Sequence, residues 1–228
     1  MKAEPPMQLG GKPLRLAAHQ SDAWRMKVLS RLGGLYLDWD VIVQRDIFAL
    51  LKSDFTLGME RFDNALGVAV IASTPDAKFL NIWQKEMEAR FNPECYTCHS
   101  VTAVREIARD NPLQVDLLHW KRFYYPGWED EAMGALIDWR VRGVTLEDLR
   151  ERPALPENGP RLPSLSLDAT FCLHLFESHA NAVKRLGDRS HSLISHQRIW
   201  SHPSPSPFEV MARAILEHLD EGKRKEEL

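Results

Sequence analysis

The chain has 228 residues, of which 44% are hydrophobic and 27% are charged, as is usual for a globular protein with one sizeable core. Its formal net charge is −3 at pH 7 and it contains no extended basic block, so a nucleic-acid partner is not expected. The apolar runs are too short to span a membrane, and the N-terminus lacks the apolar core of a signal peptide.

The sequence is predicted to divide into three parts. Residues 1–14 are rich in proline and contain a Gly-Gly pair, so we expect an irregular lead-in. Residues 15–200 are expected to form the main domain. Residues 201–228 begin with a Pro- and Ser-rich linker and continue into an amphipathic helix, which is predicted over residues 208–220.

The first helix is predicted to begin at Ser21, a favourable N-cap, and to end at Gly33, which suits a left-handed helix stop. Three apolar residues recur every four positions and are predicted to form its buried stripe: Trp24, Val28 and Leu32. Asp22 and Arg25 are three residues apart, so we expect them to be neighbours on the helix surface, away from that stripe.

The segment 35–43 is apolar at most positions and predicts one strand that is buried on both faces. Asp38 and Asp40 interrupt it, and in an extended chain their carboxylates would lie about 7 Å apart on one side. Two such charges away from water need a positive partner, and a hard divalent cation that also holds phosphate oxygens suits them. The alternative is a strand that ends in a solvated turn.

The helix, its glycine stop and the aspartate pair form one pattern with fixed spacing: Ser21-Asp22-x-x-Arg25-x-x-x-Leu29-x-x-x-Gly33-Gly34-x-Tyr36-x-Asp38-x-Asp40. This pattern resembles the sugar-binding region of the family-32 glycosyltransferases, which include fungal α-mannosyltransferases and animal α-1,4-galactosyl- and α-1,4-N-acetylglucosaminyltransferases. The resemblance implies an α/β fold of GT-A type, with a mixed sheet flanked by helices. It also implies a nucleotide-sugar donor, a Mn²⁺ or Mg²⁺ ion, a glycan or glycolipid acceptor, and transfer of a hexose with retention.

The resemblance further implies roles for individual residues. Asp40 would be the direct metal ligand, and Asp38 would share the metal shell and the donor's ribose. Asp22 and Arg25 would hold hydroxyls of the donor sugar, Arg25 through its rigid guanidinium fork. Tyr36 belongs to the same substrate-binding set. No catalytic nucleophile is assigned.

Beyond the aspartates the chain alternates between short helices and strands. Helices are predicted over residues 47–51, 75–91 and 100–109, and strands over residues 55–58, 66–72, 115–118, 122–126 and 171–176. Asn64, in the turn between two strands, resembles a family element that faces the donor sugar; alternatively it caps the turn. Thr145 and Asp148 have the spacing of a capping box.

Cys95-Tyr96-Thr97-Cys98-His99 has the spacing of a haem c attachment site and of a redox Cys-x-x-Cys pair. A structural zinc site would need further ligands, and the third cysteine, Cys172, is far away in the sequence. We expect none of these chemistries, and interpret the two cysteines as a buried or incidental pair before the helix predicted over residues 100–109.

Two later residues are candidates through the resemblance. Trp128 follows a Phe-Tyr-Tyr-Pro segment that resembles an element near the acceptor, where a ring could stack on a sugar; the alternative is an aromatic core corner. His174 lies in a late apolar strand and resembles a histidine that completes the metal site; the alternative is a satisfied core histidine.

The segment before the first helix is shorter than in the family, so we expect an N-terminally truncated GT-A fold. Such a fold would leave a sheet edge uncovered, which predicts self-association. It also makes a catalytically inactive relative that only binds donor or partners the main alternative to an active transferase. A more remote alternative is a haloacid-dehalogenase-type phosphatase, with Asp38 as nucleophile. The resemblance implies a Golgi location, which nothing else in the sequence indicates.

Overall fold

The computed structural model describes residues 6–61, 65–138, 143–151, 167–176, 199–200 and 203–226. The chain forms two compact units. The first contains Met1–Tyr124 and Phe171–His174, and the second contains Tyr125–Thr170 and Leu175–Leu228. The tripartite division expected from the sequence stays a prediction.

The first unit is built on a mixed four-stranded sheet. The strands that the structure describes are β1 (Gln8–Leu9), β2 (Lys12–Pro13), β3 (Gly34–Leu37), β4 (Val41–Val43), β5 (Phe55–Met59), β6 (Leu66–Ser73), β7 (Asp116–Leu118) and β8 (Cys172–His174). The main sheet has the order β3-β6-β5-β7, with antiparallel pairs except β5 and β7, which are parallel. β1 pairs with β2 and β4 pairs with β8, each pair antiparallel.

Both units contain helices. They are α1 (Ala17–Leu32), α2 (Lys78–Arg90), α3 (Val101–Asp110), α4 (Asp130–Ile137), α5 (Leu146–Glu151) and α6 (Pro207–Glu226), with short 3-10 turns at Ile47–Leu50, Pro112–Gln114 and Trp120–Arg122. In the first unit, α1, α2 and α3 pack on one another and on the sheet, and in the second, α6 packs against α4 and α5. The expected mixed α/β class with a sheet flanked by helices is confirmed. Among the described helices, none has the length and apolar character needed to cross a membrane.

The core of the first unit lies between the central strands and the helices α1 to α3. β5 and β6 are buried along most of their length because they are the two inner strands of the sheet. Phe55 on β5 contacts Phe79 and Trp83 on α2, with ring centroids 4.8 Å and 6.3 Å apart. All three side chains are fully buried, so α2 is fixed on the sheet by aromatic packing.

Helix α1 differs from its predicted form. It begins at Ala17, and its N-cap residue, Leu16, makes no side-chain cap hydrogen bond, so Ser21 lies inside the helix. The stop at Gly33 is confirmed, with φ of 62°. The predicted stripe is wrong, because Leu32 is 63% exposed. The buried face instead contains Asp22, Ala23, Arg25, Met26 and Leu29. An ionic pair is therefore buried on this face together with apolar residues.

The single strand predicted over 35–43 is also wrong. The backbone turns at the aspartates, where the Val41 amide donates to the Asp38 carbonyl at 3.1 Å. β3 before the turn pairs with β6, whereas β4 after it pairs with β8. The segment therefore supplies strands to two sheets, and the Asp-x-Asp lies in the turn between them.

Further expectations have mixed outcomes. Residues 8–13 form a hairpin in place of an irregular lead-in, and Leu14, which follows it, is 2% exposed. Residues 122–126 are not a strand: Arg122 ends a 3-10 turn, and the peptide bond Tyr125–Pro126 is cis. The capping box is confirmed, since the Asp148 amide donates to Thr145 Oγ1 at 3.1 Å and Asp148 Oδ2 accepts from the Thr145 amide at 2.9 Å.

Candidate functional site

Asp38, Asp40 and His174 converge at the turn between β3 and β4. One ligand atom from each residue lies within 4.8 Å of the other two, closer than an extended chain would place the carboxylates. The antiparallel register pairs Val41 with His174, which places the imidazole next to Asp40, and His174 Nε2 lies 3.2 Å from Asp40 Oδ1. The turn and the β4–β8 pairing together create this cluster.

The donor set of this cluster fits a divalent cation. It offers two carboxylate groups and one imidazole nitrogen, and manganese accepts both ligand types. Asp40 is 6% exposed, and a buried carboxylate needs compensation by positive charge or hydrogen bonds. Among the described residues, this is the one group of three or more potential metal-ligating side chains.

Arg25, on the buried face of α1, links the helix to the turn. Its Nη2 lies 3.1 Å from Asp22 Oδ1 and 3.2 Å from Asp38 Oδ1, and its Nη1 donates to the Val68 carbonyl at 2.5 Å. The guanidinium is 5% exposed, so these partners replace its water. The spacing of Asp22 and Arg25 predicted their contact, but the pair is buried and does not lie on the helix surface.

Tyr36, on β3, completes the same network. Its hydroxyl donates to Asp38 Oδ1 at 2.5 Å and lies 3.1 Å from Ser21 Oγ. Arg25 Cζ lies over the Tyr36 ring, 4.5 Å from the ring centroid. Burial raises the pKa of Tyr36 to about 12, so the phenol keeps its proton at neutral pH. Ser21, predicted as an N-cap, contributes its hydroxyl to this network instead.

His99 is a member of this network that the sequence did not indicate. It is fully buried, and its Nε2 lies 3.1 Å from Asp22 Oδ2. The residue stood out only as the end of the Cys-x-x-Cys-His run. Its contact with Asp22 spans 77 residues of sequence, which no local pattern could show.

Tyr124 packs against His174 of this cluster. Its hydroxyl accepts a hydrogen bond from the Val70 amide at 3.1 Å, and its ring lies edge-on to His174 with centroids 5.8 Å apart. The ring lies against Gly58 and Gly67, where a Cβ would collide with it. Burial raises the pKa of the Tyr124 phenol far above its usual value, so it stays protonated.

Cys95 and Cys98 form a disulfide, which the sequence interpretation missed. Cys172 is a free, buried cysteine, and burial raises its pKa to about 12, so its thiol is a poor metal ligand. Within the described ranges, no group of ligating residues includes a cysteine, which gives the zinc alternative no support.

The two remaining candidates are not part of this cluster in the described structure. Asn64 lies outside the described residues. Trp128 is half-buried and belongs to the second unit, whereas the cluster belongs entirely to the first. The roles that the sequence predicts for both residues stay predictions.

A buried Arg–Asp network therefore lies beside an Asp-x-Asp turn on a mixed α/β sheet. Residues 6–63 match the family described as "Glycosyltransferase sugar-binding region containing DXD motif". The predicted resemblance to the family-32 glycosyltransferases is thereby confirmed for this region of the chain.

The chain is also similar to a curated fungal protein. Over 142 residues it is 31% identical to "Glucan organizing enzyme 1" of Cryptococcus neoformans var. grubii serotype A (strain H99), and the alignment covers 58% of this chain. It spans only 38% of that relative's length. No solved structure matches the chain. These similarities support general glycosyl transfer and favour it over the phosphatase alternative.

Proposed function

We propose that the chain acts in a metal-dependent, retaining glycosyltransferase that moves a hexose from a nucleotide-sugar to a glycan or glycolipid acceptor. One observation carries the proposal: Asp38 belongs to two groups at once. Its Oδ1 contacts Arg25 at 3.2 Å and Tyr36 at 2.5 Å, while its carboxylate also belongs to the cluster with Asp40 and His174. A sugar held by the first group would therefore have its diphosphate at the second.

The division of labour between the residues follows from their chemistry. Asp40, His174 and Asp38 would hold a Mn²⁺ or Mg²⁺ ion. Such an ion, when bound, supplies a Lewis acid that neutralises the charge of the leaving diphosphate. Asp40 is the direct ligand in this proposal, because it is the more buried of the two carboxylates and contacts His174.

Arg25 and Asp22 would bind and orient the donor sugar. The guanidinium is planar, and contacts with four residues fix its orientation: Ser21, Asp22, Asp38 and Val68. Tyr36, which keeps its proton, holds the Asp38 carboxylate in place by donating to it. No side chain is assigned as nucleophile, and retention of configuration is proposed from the family.

The proposals for the acceptor and for the compartment each rest on a separate observation. The relative's name refers to glucan, and for this chain we propose a glycan acceptor, with Trp128 as a stacking residue. A lumenal location such as the Golgi fits the Cys95–Cys98 disulfide, because disulfides persist in oxidising compartments.

The metal assignment is tested by thermal unfolding with and without MnCl₂. A ligand that binds the native state raises its melting temperature, so manganese should stabilise the wild type. Asp40→Asn should fold and lose this effect. Asp76→Asn, which changes an exposed aspartate outside the cluster, should keep it. Equal manganese stabilisation in wild type and Asp40→Asn would sink the assignment.

Transfer itself is tested by release of nucleoside diphosphate from a panel of UDP- and GDP-hexoses with Mn²⁺ and glycan acceptors. Acceptor-dependent release that Asp40→Asn abolishes supports the proposal. Donor binding in calorimetry without any release would instead establish the alternative, a catalytically inactive relative that only binds donor.

A further inference from the structure

His99 occupies a rigid position beside the Asp22–Arg25 pair. It follows the disulfide-closed segment Cys95–Cys98 and lies two residues before α3. Its backbone carbonyl accepts a hydrogen bond from Trp83 Nε1 at 3.2 Å. The peptide that carries the imidazole is thus held by a covalent loop on one side and by a core tryptophan on the other.

The imidazole is held as firmly as its backbone. The His19 ring meets it edge-on with centroids 4.7 Å apart, and the Phe91 ring does so at 5.1 Å. Burial lowers the pKa of His19. The His99 ring can therefore neither rotate nor move away without displacing core side chains.

The bond between His99 and Asp22 defines the proton position. An ionised Asp22 carboxylate can only accept, so His99 Nε2 is the donor across the 3.1 Å contact. In the part of the chain that the structure describes, His99 Nδ1 is buried and makes no hydrogen bond. The described side-chain hydrogen bonding of His99 is thus directed to Asp22.

The two oxygens of Asp22 therefore have different partners. Oδ2 faces His99, and Oδ1 faces Arg25 Nη2 at 3.1 Å. Without the histidine, both oxygens would be available to the guanidinium, which prefers a bidentate pair. A bidentate pair with Asp22 would draw Arg25 away from Asp38, which it now contacts at 3.2 Å.

We propose that His99 is a positioning residue for donor recognition: by engaging one oxygen of Asp22, it keeps Arg25 shared between Asp22 and Asp38 and oriented toward the donor sugar. This role rests on the proposed function of the same site. His99 acts through Asp22 and Arg25 and does not touch the donor itself. Its loss should therefore weaken recognition of the sugar and leave binding of the diphosphate unchanged.

The test compares two polar substitutions of His99. In His99→Gln the amide nitrogen reaches the place of Nε2 and can still donate to Asp22. In His99→Asn the shorter amide reaches only the place of Nδ1, where no partner is described. Calorimetry in the presence of Mn²⁺ gives two dissociation constants for each variant, one for the nucleotide-sugar and one for the matching nucleoside diphosphate.

His99→Asn should weaken nucleotide-sugar binding about tenfold, the size expected for a lost hydrogen bond to a charged group. Its affinity for the nucleoside diphosphate should stay within about twofold of wild type, and His99→Gln should restore most of the sugar-dependent part. Phe91→Leu, which loosens the packing around the ring but keeps the Asp22 contact, should lower the melting temperature without changing the ratio of the two constants.

The outcomes separate this role from the proposed function. If wild type binds the donor and His99→Asn keeps the wild-type ratio, the positioning role is overturned and the proposed function stands. Equal weakening of both ligands in His99→Asn also overturns it, since a purely structural residue would act in this way. If wild type binds no nucleotide-sugar of the panel, both proposals are overturned.

Discussion

Asp38 is the residue that joins the proposed donor-recognition group to the proposed metal site. It accepts from Tyr36, contacts Arg25, and contributes to the cluster with Asp40 and His174. Its side chain is 24% exposed, whereas that of Arg25 is 5% exposed. The Arg25 guanidinium is therefore shielded from water, while the Asp38 carboxylate beside it is still accessible to a ligand.

The role of Arg25 can be tested by Arg25→Lys, which keeps the positive charge but loses the planar fork. One ammonium nitrogen cannot occupy the positions of both Nη1, which donates to the Val68 carbonyl, and Nη2, which contacts Asp22 and Asp38, so nucleotide-sugar binding should weaken by about tenfold or more. Free nucleotide binding should change little. Calorimetry with both ligands measures the difference.

Arg90→Lys is the matched control for this substitution, because Arg90 pairs with Glu86 and Glu106 on the exposed surface. It should leave both affinities unchanged, since exposed pairs contribute about 0–1 kcal/mol. If Arg25→Lys also leaves sugar binding unchanged, Arg25 only pairs with its neighbours and has no part in recognition.

At the scale of elements, local patterns located the two inner strands of the main sheet but missed the turn that divides residues 35–43. Continuous apolar runs predicted the strands now seen at Phe55–Met59 and Leu66–Ser73, because both are buried inside the sheet. The break at Asp38 was missed, since it depends on pairing of β4 with a strand formed much later in the chain. Local composition indicates which strands are buried, whereas the strand with which each one pairs is determined by tertiary structure.

The candidate site shows the same limit. The contact between Asp22 and Arg25 followed from helix spacing. That His174 would join Asp38 and Asp40 was predicted only from the family resemblance, and the contact of His99 with Asp22 was not predicted at all. Residues joined by helix periodicity can be paired from the sequence, but residues brought together by the fold cannot.

The Tyr124 ring packs directly on Gly58 of β5 and Gly67 of β6, so Gly67→Ala is expected to destabilise the protein. A Cβ at Gly67 would overlap the ring and hydroxyl of Tyr124, whose own hydroxyl is tied to the Val70 amide. Overpacking of this kind costs about 1–3 kcal/mol in free energy of unfolding. Denaturant unfolding measures this loss, and the manganese stabilisation should fall too, because Tyr124 packs against His174.

A double-mutant cycle separates this collision from a general loss of strand stability. In a Tyr124→Leu background the ring is gone, so Gly67→Ala should cost much less than in wild type. An equal cost in both backgrounds would contradict the collision and assign the effect to the strand itself.

At the scale of the whole molecule, the prediction of self-association can be placed on one edge of the main sheet. In the described part of the first unit, β3 is the terminal strand of that sheet, with β6 on its other side. Amides along an antiparallel strand alternate between its two sides. Because the Asp38 amide donates to Ala69, the amides of Leu35 and Leu37 face away from β6. Such an edge is a template for pairing with a second copy.

We therefore expect the protein to self-associate reversibly through β3, with the mass measured by sedimentation velocity rising with concentration. Leu35→Lys should reduce this association, because a charge on an edge strand opposes pairing between copies. Leu32→Lys makes the same change at a 63% exposed position at the end of α1, outside the sheet, and should leave association unchanged. A wild type that remains monomeric at every concentration, or an equal effect of both substitutions, would show that this edge is not the contact.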